Sequence, residues 1–282
     1  MRNTAEKMVL LLLRGTSYLV VLVIGYILFD IIRNGLPALN WGFVSDFPRR
    51  SGAAGGILPA IVGTFCLVVG TIAVSLPLGI GGAIYLAEYA EQGKFTNLLR
   101  LAIITLAGVP SIVFGLFGLG LFVLFLNFGP SILAGSLTLA CMVLPTIIVA
   151  SEESLRAVPK GYRDASLALG ATKWETIRTN VLPYSLSGMI TGSILGIGRA
   201  AGETAPILLT VAAFFLPKLP GSVFDQVMAL PYHLYILATQ HPEAARLRHM
   251  QYGTALILLL LVLGLSLGAI LIRTHFRKKY RW

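Results

Sequence analysis

Two charged side chains, Arg199 and Glu203, lie within an otherwise apolar stretch, Tyr184–Leu216. In a bilayer an uncompensated Arg costs at least about 3 kcal/mol, so Arg199 would need a partner or a polar cavity. Its forked N–H donors fit the oxygens of phosphate or carboxylate. Glu203 follows four residues on and shares the helix face, although Arg before Glu is the less favourable order. The pair predicts either an ion pair that holds helices together, or an anion path in which Glu203 positions Arg199 or closes the path.

The composition of the whole chain places this stretch in a membrane. Of 282 residues, 56% are hydrophobic and 12% are charged, and the mean hydropathy is +0.82. Soluble domains carry roughly a quarter charged residues, and a membrane helix needs about 20 mostly apolar residues. We predict an all-α integral membrane protein with about six transmembrane helices: Thr16–Ile32, Ile57–Leu86, Leu101–Leu126, Ser131–Ala150, Tyr184–Leu216 and Tyr252–Ile272.

The basic residues predict the orientation, because cytoplasmic loops collect Lys and Arg. With both termini cytoplasmic, the outer loops hold six of the 22 basic residues: Arg33, Arg49, Arg50, Lys218, Arg246 and Arg248. The inner side then holds fifteen: Arg2, Lys7, Arg14, Lys94, Arg100, Arg156, Lys160, Arg163, Lys173, Arg178, Arg273, Arg277, Lys278, Lys279 and Arg281. The net charge of +10 therefore indicates contact with anionic lipid, and not a nucleic-acid partner.

A further apolar segment, Val223–Thr239, could be taken for a seventh span. It contains Asp225, Pro231 and His233, and a crossing there would move the basic C-terminus to the outside. We predict a re-entrant or interfacial helix within an outer loop, residues 217–250.

The sequence contains no motif for covalent chemistry. The only Gly-Lys pair, Gly93-Lys94, is followed by Phe, so the chain has no P-loop. It has no nucleophile–base pair and no Cys/His cluster with the spacing of metal ligands. We expect a chain that is not an enzyme and holds no cofactor or metal. Within the second predicted span, Pro77 and Gly79–Gly82 predict a break in the helix.

The cytoplasmic segment Ser151–Pro183 is the natural contact for a soluble partner, because it is the only sizeable inner loop and is rich in charge. Pro159 ends a first short helix, and Asp164–Leu169 predicts a second. Gly170 can end that second helix as a C-terminal cap. Trp174 begins a stretch that leads into the fifth span.

The same segment resembles the EAA motif of the membrane subunits of bacterial ABC importers. That pattern is E-A-A, three residues, Gly, nine residues, I-x-L-P, and here it is Asp164-Ala165-Ser166, Gly170 and Asn180-Val181-Leu182-Pro183. The first and third positions of the triplet and Asn180 depart from it, at places where the family pattern is degenerate. The resemblance implies a coupling helix that docks in a cleft of the ATPase subunit. It also implies the ATPase contact residues, which are Asp164, Ala165, Leu167 and Gly170.

Three further strings resemble phosphate ABC importer permeases: Pro77–Leu86, Ala107–Gly118 and Gly198–Pro206, the last reading GRAAGETAP. The resemblance covers roughly residues 55–275. The short N-terminal tail and single helix before it are more similar to the PstA-type subunit than to its PstC-type partner.

This resemblance implies a type I permease fold in the bacterial inner membrane. It implies a second related permease, an ATPase homodimer that holds ATP and Mg, an extracytoplasmic phosphate-binding protein, and phosphate as substrate. Residues 1–56 would form the tail, first helix and outer loop, and residues 57–282 a core of five transmembrane helices. A permease for another oxyanion, a self-contained secondary anion transporter and a structural membrane protein are the alternatives.

Overall fold

The computed structural model describes residues 4–279, which are mostly α-helical. The α-helices are α1 (Thr4–Gly35), α2 (Trp41–Ser45), α3 (Leu58–Ile84), α4 (Lys94–Ala107), α5 (Ser111–Gly118), α6 (Ile132–Arg156), α7 (Lys160–Ala168), α8 (Lys173–Thr176), α9 (Leu182–Gly202), α10 (Ala205–Thr210), α11 (Leu230–Tyr235) and α12 (Arg248–Lys279). Short π-helical stretches extend several of them: Tyr85–Tyr89, Leu119–Phe125, Ile177–Val181 and Ile236–Gln240. Strands β1 (Pro48–Arg49) and β2 (Ala54–Gly55) form a small antiparallel hairpin.

Five helices in the described part of the chain are long and apolar enough to cross a membrane: Met8–Ala38, Leu58–Tyr89, Ile132–Arg156, Lys173–Gly202 and Arg248–His275. A sixth crossing is possible if the bent pair α4 and α5 counts as one span. The predicted all-α membrane fold with about six spans is therefore confirmed. The predicted orientation stays a prediction, and Arg2, Arg281 and Trp282 lie outside the described residues.

The third predicted span, Leu101–Leu126, is not one straight helix. Helix α4 ends at Ala107, and the helix that continues from Ser111 is bent from it by 103°. Pro110 has an extended ψ of 138° and lacks the N–H that a helix needs. Since a proline also disfavours helical backbone at the residue before it, the chain turns at Gly108–Pro110.

The predicted break in the second span is wrong. Helix α3 runs from Leu58 to Ile84 with Pro77 inside it. Gly79 serves packing instead: a Cβ there would lie 2.6 Å from Cγ2 of Ile147 in α6. This glycine therefore allows close approach between two helices.

Helices α3, α6 and α9 form the centre of the bundle. Along α9, Gly188 and Gly192 lie one turn apart, and side chains there would collide with Ser154 and Ala150 of α6. Gly196 lies one turn further on the same face, and a Cβ there would lie 3.3 Å from Cγ1 of Ile147. Small residues at this spacing let helix backbones approach closely in lipid.

The fifth predicted span, Tyr184–Leu216, has different bounds in the structure. The helix begins at Lys173, continues without interruption through the π-helical stretch into α9, and ends at Gly202. Glu203 has extended backbone (φ −76°, ψ 133°), and the separate short helix α10 follows. Pro206 explains the end, because it cannot donate to the carbonyl of Gly202 and its ring would clash there.

The end of the bundle at which α3 begins is covered by α2, the β-hairpin and α11; we call it the Leu58 end. The opposite end, where the π-helical stretch after α3 stops, is the Tyr89 end. At the Leu58 end, the hydroxyl of Thr64 accepts a hydrogen bond from the N–H of Leu230 at 2.8 Å. Helix α11 and its π-helical extension to Gln240 are roughly 16 Å long, whereas the hydrocarbon core is about 30 Å thick. The segment Val223–Thr239 therefore contains no spanning helix, as predicted.

Candidate functional site

Arg199 and Glu203 form an ion pair at the end of α9. The Arg199 Nε lies 3.3 Å from Oε1 of Glu203, and the side chains are 39% and 18% exposed. The sequence predicted Arg199 near the middle of a long helix, but it lies in the last helical turn. The pair therefore lies where α9 stops, at the end whose last C=O groups have no donors within the helix.

The neighbours of Glu203 define the depth of the pair in the bundle. Glu203 lines a small space together with Thr64 and Leu67 of α3 and Leu139 of α6. Thr64 is six residues into α3, or roughly 9 Å from its start. The pair consequently lies in the half of the bundle nearer the Leu58 end, and not at its centre.

One face of α9 around Arg199 has no neighbour within the described chain. Leu195 is 65% exposed, and a Cβ added to Gly202 would meet no atom within 4 Å. These residues follow the spacing of one helix face with Arg199 between them. The face presents a guanidinium on an apolar surface, held by a carboxylate that points inward. Such an arrangement can bind an anion through the N–H groups that Glu203 leaves free.

The second candidate site is the helix α7 at the Tyr89 end. Three of the predicted ATPase-contact residues, Asp164, Ala165 and Leu167, are exposed on it, whereas Ser166 is buried. Gly170 is also exposed and has a φ of +88°. Its N–H donates to the carbonyl of Leu167, and the next N–H donates to that of Ser166, which is the hydrogen-bond pattern of a glycine cap. The structure brings these four residues together on one accessible surface.

The helix α7 is longer than the sequence predicted, because it begins at Lys160. The first predicted short helix of this segment is instead the end of α6, which continues to Arg156. Two apolar side chains that the sequence did not single out extend the exposed surface: Leu169 is 89% exposed and Trp174 is 52% exposed. Large apolar residues within a charged loop were the signal that could have identified them.

An ion pair at the Tyr89 end was also missed. Arg163 of α7 contacts Glu88, the residue before the end of the π-helical stretch that extends α3, with Nη2 2.6 Å from Oε1. The two residues are 75 positions apart, so no local pattern could link them. Among the residues that the structure describes, no group of three or more His, Cys, Asp or Glu could hold a metal. The chemistry available at both sites is ion pairing and protein contact.

Comparison with known proteins identifies the class to which this fold and these sites belong. A family model described as "Binding-protein-dependent transport system inner membrane component" matches residues 79–282. The chain belongs to this family of ABC importer permeases, multi-pass inner membrane proteins that work with a second permease, an ATPase and a substrate-binding protein.

Individual relatives extend the similarity to most of the chain. The chain is 34% identical over 263 residues to the "Probable ABC transporter permease protein YqgI" of Bacillus subtilis (strain 168), with 88% of each protein covered. It is 38% identical to the "Phosphate transport system permease protein PstA 1" of Mycobacterium tuberculosis (strain CDC 1551 / Oshkosh), covering 78% of this chain and 71% of the relative.

A solved structure supports the fold. A chain of the crystal structure of a bacterial alginate ABC transporter, in complex with its alginate-bound periplasmic protein, superposes with a TM-score of 0.65. The match covers 98% of this chain and 95% of that one, at 11% sequence identity. At this identity the likeness shows the type I permease fold alone.

Proposed function

We propose that this chain is the PstA-type permease subunit of an ATP-driven importer of inorganic phosphate. The observation that carries the proposal is Arg199, whose guanidinium stands on the unpartnered face of α9 and is held by Glu203. The relatives named as phosphate transport permeases support the substrate. A planar fork of N–H donors suits a tetrahedral oxyanion better than an ammonium would.

The face of α9 around Arg199 forms half of the translocation path, and a second related permease supplies the other half. Next to Arg199 this face is apolar at Leu195, which is 65% exposed, so a passing phosphate meets its strong contact at the guanidinium. Glu203 orients the guanidinium while the path is empty, and phosphate replaces part of that contact when it arrives. Exchange of one anion for another at a fixed cation avoids leaving a buried charge unpaired.

The exposed surface of α7 receives an ATPase homodimer, which holds ATP and Mg. Asp164, Ala165, Leu167 and Gly170 make the contact, and the small residues among them allow close approach. ATP binding closes the ATPases and displaces α7. Because Lys173–Gly202 is one continuous helix, a displacement at its start moves Arg199 at its other end. The path then opens outward to receive phosphate from an extracytoplasmic phosphate-binding protein.

In this arrangement both termini are cytoplasmic, and the Leu58 end faces the binding protein. Residues 1–56 anchor the chain beside a core formed by residues 57–282. A second candidate is import of another oxyanion, because the guanidinium of Arg199 pairs with sulfate through the same donors.

Uptake of labelled phosphate by vesicles tests the proposal. The vesicles contain this chain, its partner permease, the ATPase and the binding protein, and uptake is compared with and without ATP and binding protein. We expect uptake to require both, to be inhibited by unlabelled arsenate, and to be unaffected by sulfate.

Two outcomes contradict the proposal in different ways. Competition by sulfate as strong as that by arsenate assigns the complex to oxyanions in general. Uptake by the chain without the ATPase indicates a self-contained secondary transporter.

A further inference from the structure

The side chain of Arg163 connects the exposed helix α7 to two transmembrane helices. Its Nη2 lies 2.6 Å from Oε1 of Glu88, and its Nε lies 3.2 Å from each Glu88 oxygen. The same guanidinium donates to the carbonyl of Val158 at 2.6 Å and to that of Leu155 at 2.8 Å. Glu88 lies in the extension of α3, the carbonyl of Leu155 lies in the last turn of α6, and Val158 lies two residues beyond the end of α6. One side chain therefore binds the ends of two helices at once.

The partners of Arg163 require this particular side chain. The last carbonyls of a helix have no intrahelical donor and carry partial negative charge, so a cation beside them is favourable. Glu88 is 7% exposed, and a carboxylate with so little water around it needs a charged partner. A guanidinium directs donors to the carboxylate and to two carbonyls together, whereas the ammonium of Lys is a point charge.

A separate set of contacts links the beginning of the long helix Lys173–Gly202 to α7 and to the extension of α3. The hydroxyl of Thr176 donates to that of Ser166 in α7 at 3.0 Å. The Lys173 ammonium lies 4.8 Å from the centre of the Tyr89 ring, next to Glu88. These contacts are a hydroxyl pair and a cation–π contact, each weaker than a bidentate charged pair.

We propose that Arg163 is a positioning residue that clamps α7 to α3 and α6, so that an ATPase displacing α7 must displace the transmembrane helices with it. Without the clamp, α7 still docks on the ATPase through its exposed surface, but it moves against the ends of α3 and α6 instead of carrying them. ATP is then hydrolysed without transport. The proposal rests on the proposed coupling of α7 to an ATPase.

The test compares ATP hydrolysed per phosphate imported by the reconstituted complex. The variant Arg163→Lys keeps the positive charge and loses the fork, and Glu88→Gln keeps the shape and loses the negative charge. We expect both to assemble with the ATPase and to hydrolyse ATP, with about tenfold more ATP consumed per phosphate than in the wild type.

A matched control uses a neighbouring ion pair with a different role. Arg156 contacts Glu152 at 3.0 Å, but Glu152 keeps a second partner, Arg100, at 2.9 Å. Arg156→Lys therefore alters a guanidinium at the same end of the bundle without freeing a buried carboxylate. We expect it to leave the ATP-to-phosphate ratio unchanged.

A distance measurement separates the clamp from a merely structural role. Spin labels are placed at exposed positions on α7 (Ala168→Cys) and beyond the end of the α3 extension (Gln92→Cys). In the wild type the distance should stay constant when ATP binds, because the elements move together. In Glu88→Gln and Arg163→Lys it should change with nucleotide.

The proposal is overturned if both variants keep the wild-type ratio and a nucleotide-independent distance. If Arg163→Lys fails to assemble, Glu88→Gln decides in the same way. A wild-type complex that imports no phosphate contradicts the proposed substrate and leaves the clamp testable, because the distance measurement needs only the ATPase partner.

Discussion

The side chains of Arg199 and Glu203 have unequal access to solvent, 39% against 18%, although they are partners. Glu203 faces Thr64 and Leu139 inside the bundle, whereas Arg199 stands on the open face of α9. A pair that only held helices together would be expected to face the interior with both charges. The asymmetry favours a role for Arg199 outside this chain's own packing.

Replacing Arg199 by Gln should reduce phosphate uptake to background. Glutamine keeps hydrogen-bonding capacity and similar bulk but removes the charge that an anion needs. Co-purification with the ATPase should be unchanged, because Arg199 lies far from α7. Arg246→Gln is the control, since it breaks an ion pair with Glu243 on an exposed loop (4.0 Å) and should leave uptake intact.

The double change Arg199→Glu with Glu203→Arg should give a protein that assembles but does not transport. A structural pair depends on complementary charge, so reversal would restore it. A path residue must present its positive charge at one place, and the swap moves the charge from the exposed last turn of α9 to position 203, whose side chain faces the interior. Substantial uptake by the swapped protein would assign the pair to structure alone.

At the scale of the element, Gly170 ends α7 and leaves that end of the helix accessible. Its φ of +88° favours glycine, and a Cβ there would meet no atom within 4 Å. Any other L-residue would add strain of roughly 1–2 kcal/mol, but a long side chain would meet no clash inside the chain. A substitution here therefore tests docking more than folding.

We expect Gly170→Arg to insert in the membrane and to lose coupling of ATP hydrolysis to transport, because a bulky charge at the end of α7 obstructs the ATPase. Gly170→Ala is the matched control: it has the same backbone strain and adds only a methyl group, so uptake should be largely retained. The measurement is ATP-dependent uptake normalised to membrane-inserted protein. Equal uptake by the two variants would show that the α7 end does not contact the partner.

At the scale of the whole molecule, exposed positions at the two ends of the bundle test the predicted orientation in the membrane. Asp46 is exposed at the Leu58 end, and Gln92 is exposed just beyond Tyr89. In a variant with Cys66 and Cys141 replaced by Ala, Asp46→Cys should react with an impermeant thiol reagent added to intact cells. Gln92→Cys and Trp282→Cys should react only after the membrane is permeabilised.

If Asp46→Cys and Trp282→Cys are both labelled from outside in intact cells, the number of crossings between these two positions is even. The segment Val223–Thr239 would not explain that result, because its helix is too short to cross. The bent pair α4 and α5 would explain the result, because these two helices form a span only when they are counted as one.

The sequence predicted the elements whose evidence is local. Apolar length located the spans, since each must satisfy its backbone hydrogen bonds within itself in lipid. Gly170 was predicted as a helix cap, because a positive φ is a property of the residue itself. The sequence also predicted Asp164, Ala165 and Leu167 as contact residues on α7, because they belong to one motif and lie within one or two helical turns of each other.

Tertiary structure decided what depends on residues far apart in the chain. Helix α3 continues through Pro77 and approaches α6 closely at Gly79, and α9 stops at Gly202, so Arg199 lies at a helix end. The pairing of Arg163 with Glu88 joins positions 75 residues apart, and no periodicity encodes such a contact. By itself the sequence determined a membrane bundle with one charged pair in its apolar part, and it predicted one loop that docks on a partner. Which faces of that bundle remain open was decided by packing, because a side chain is exposed or buried only relative to the helices that surround it.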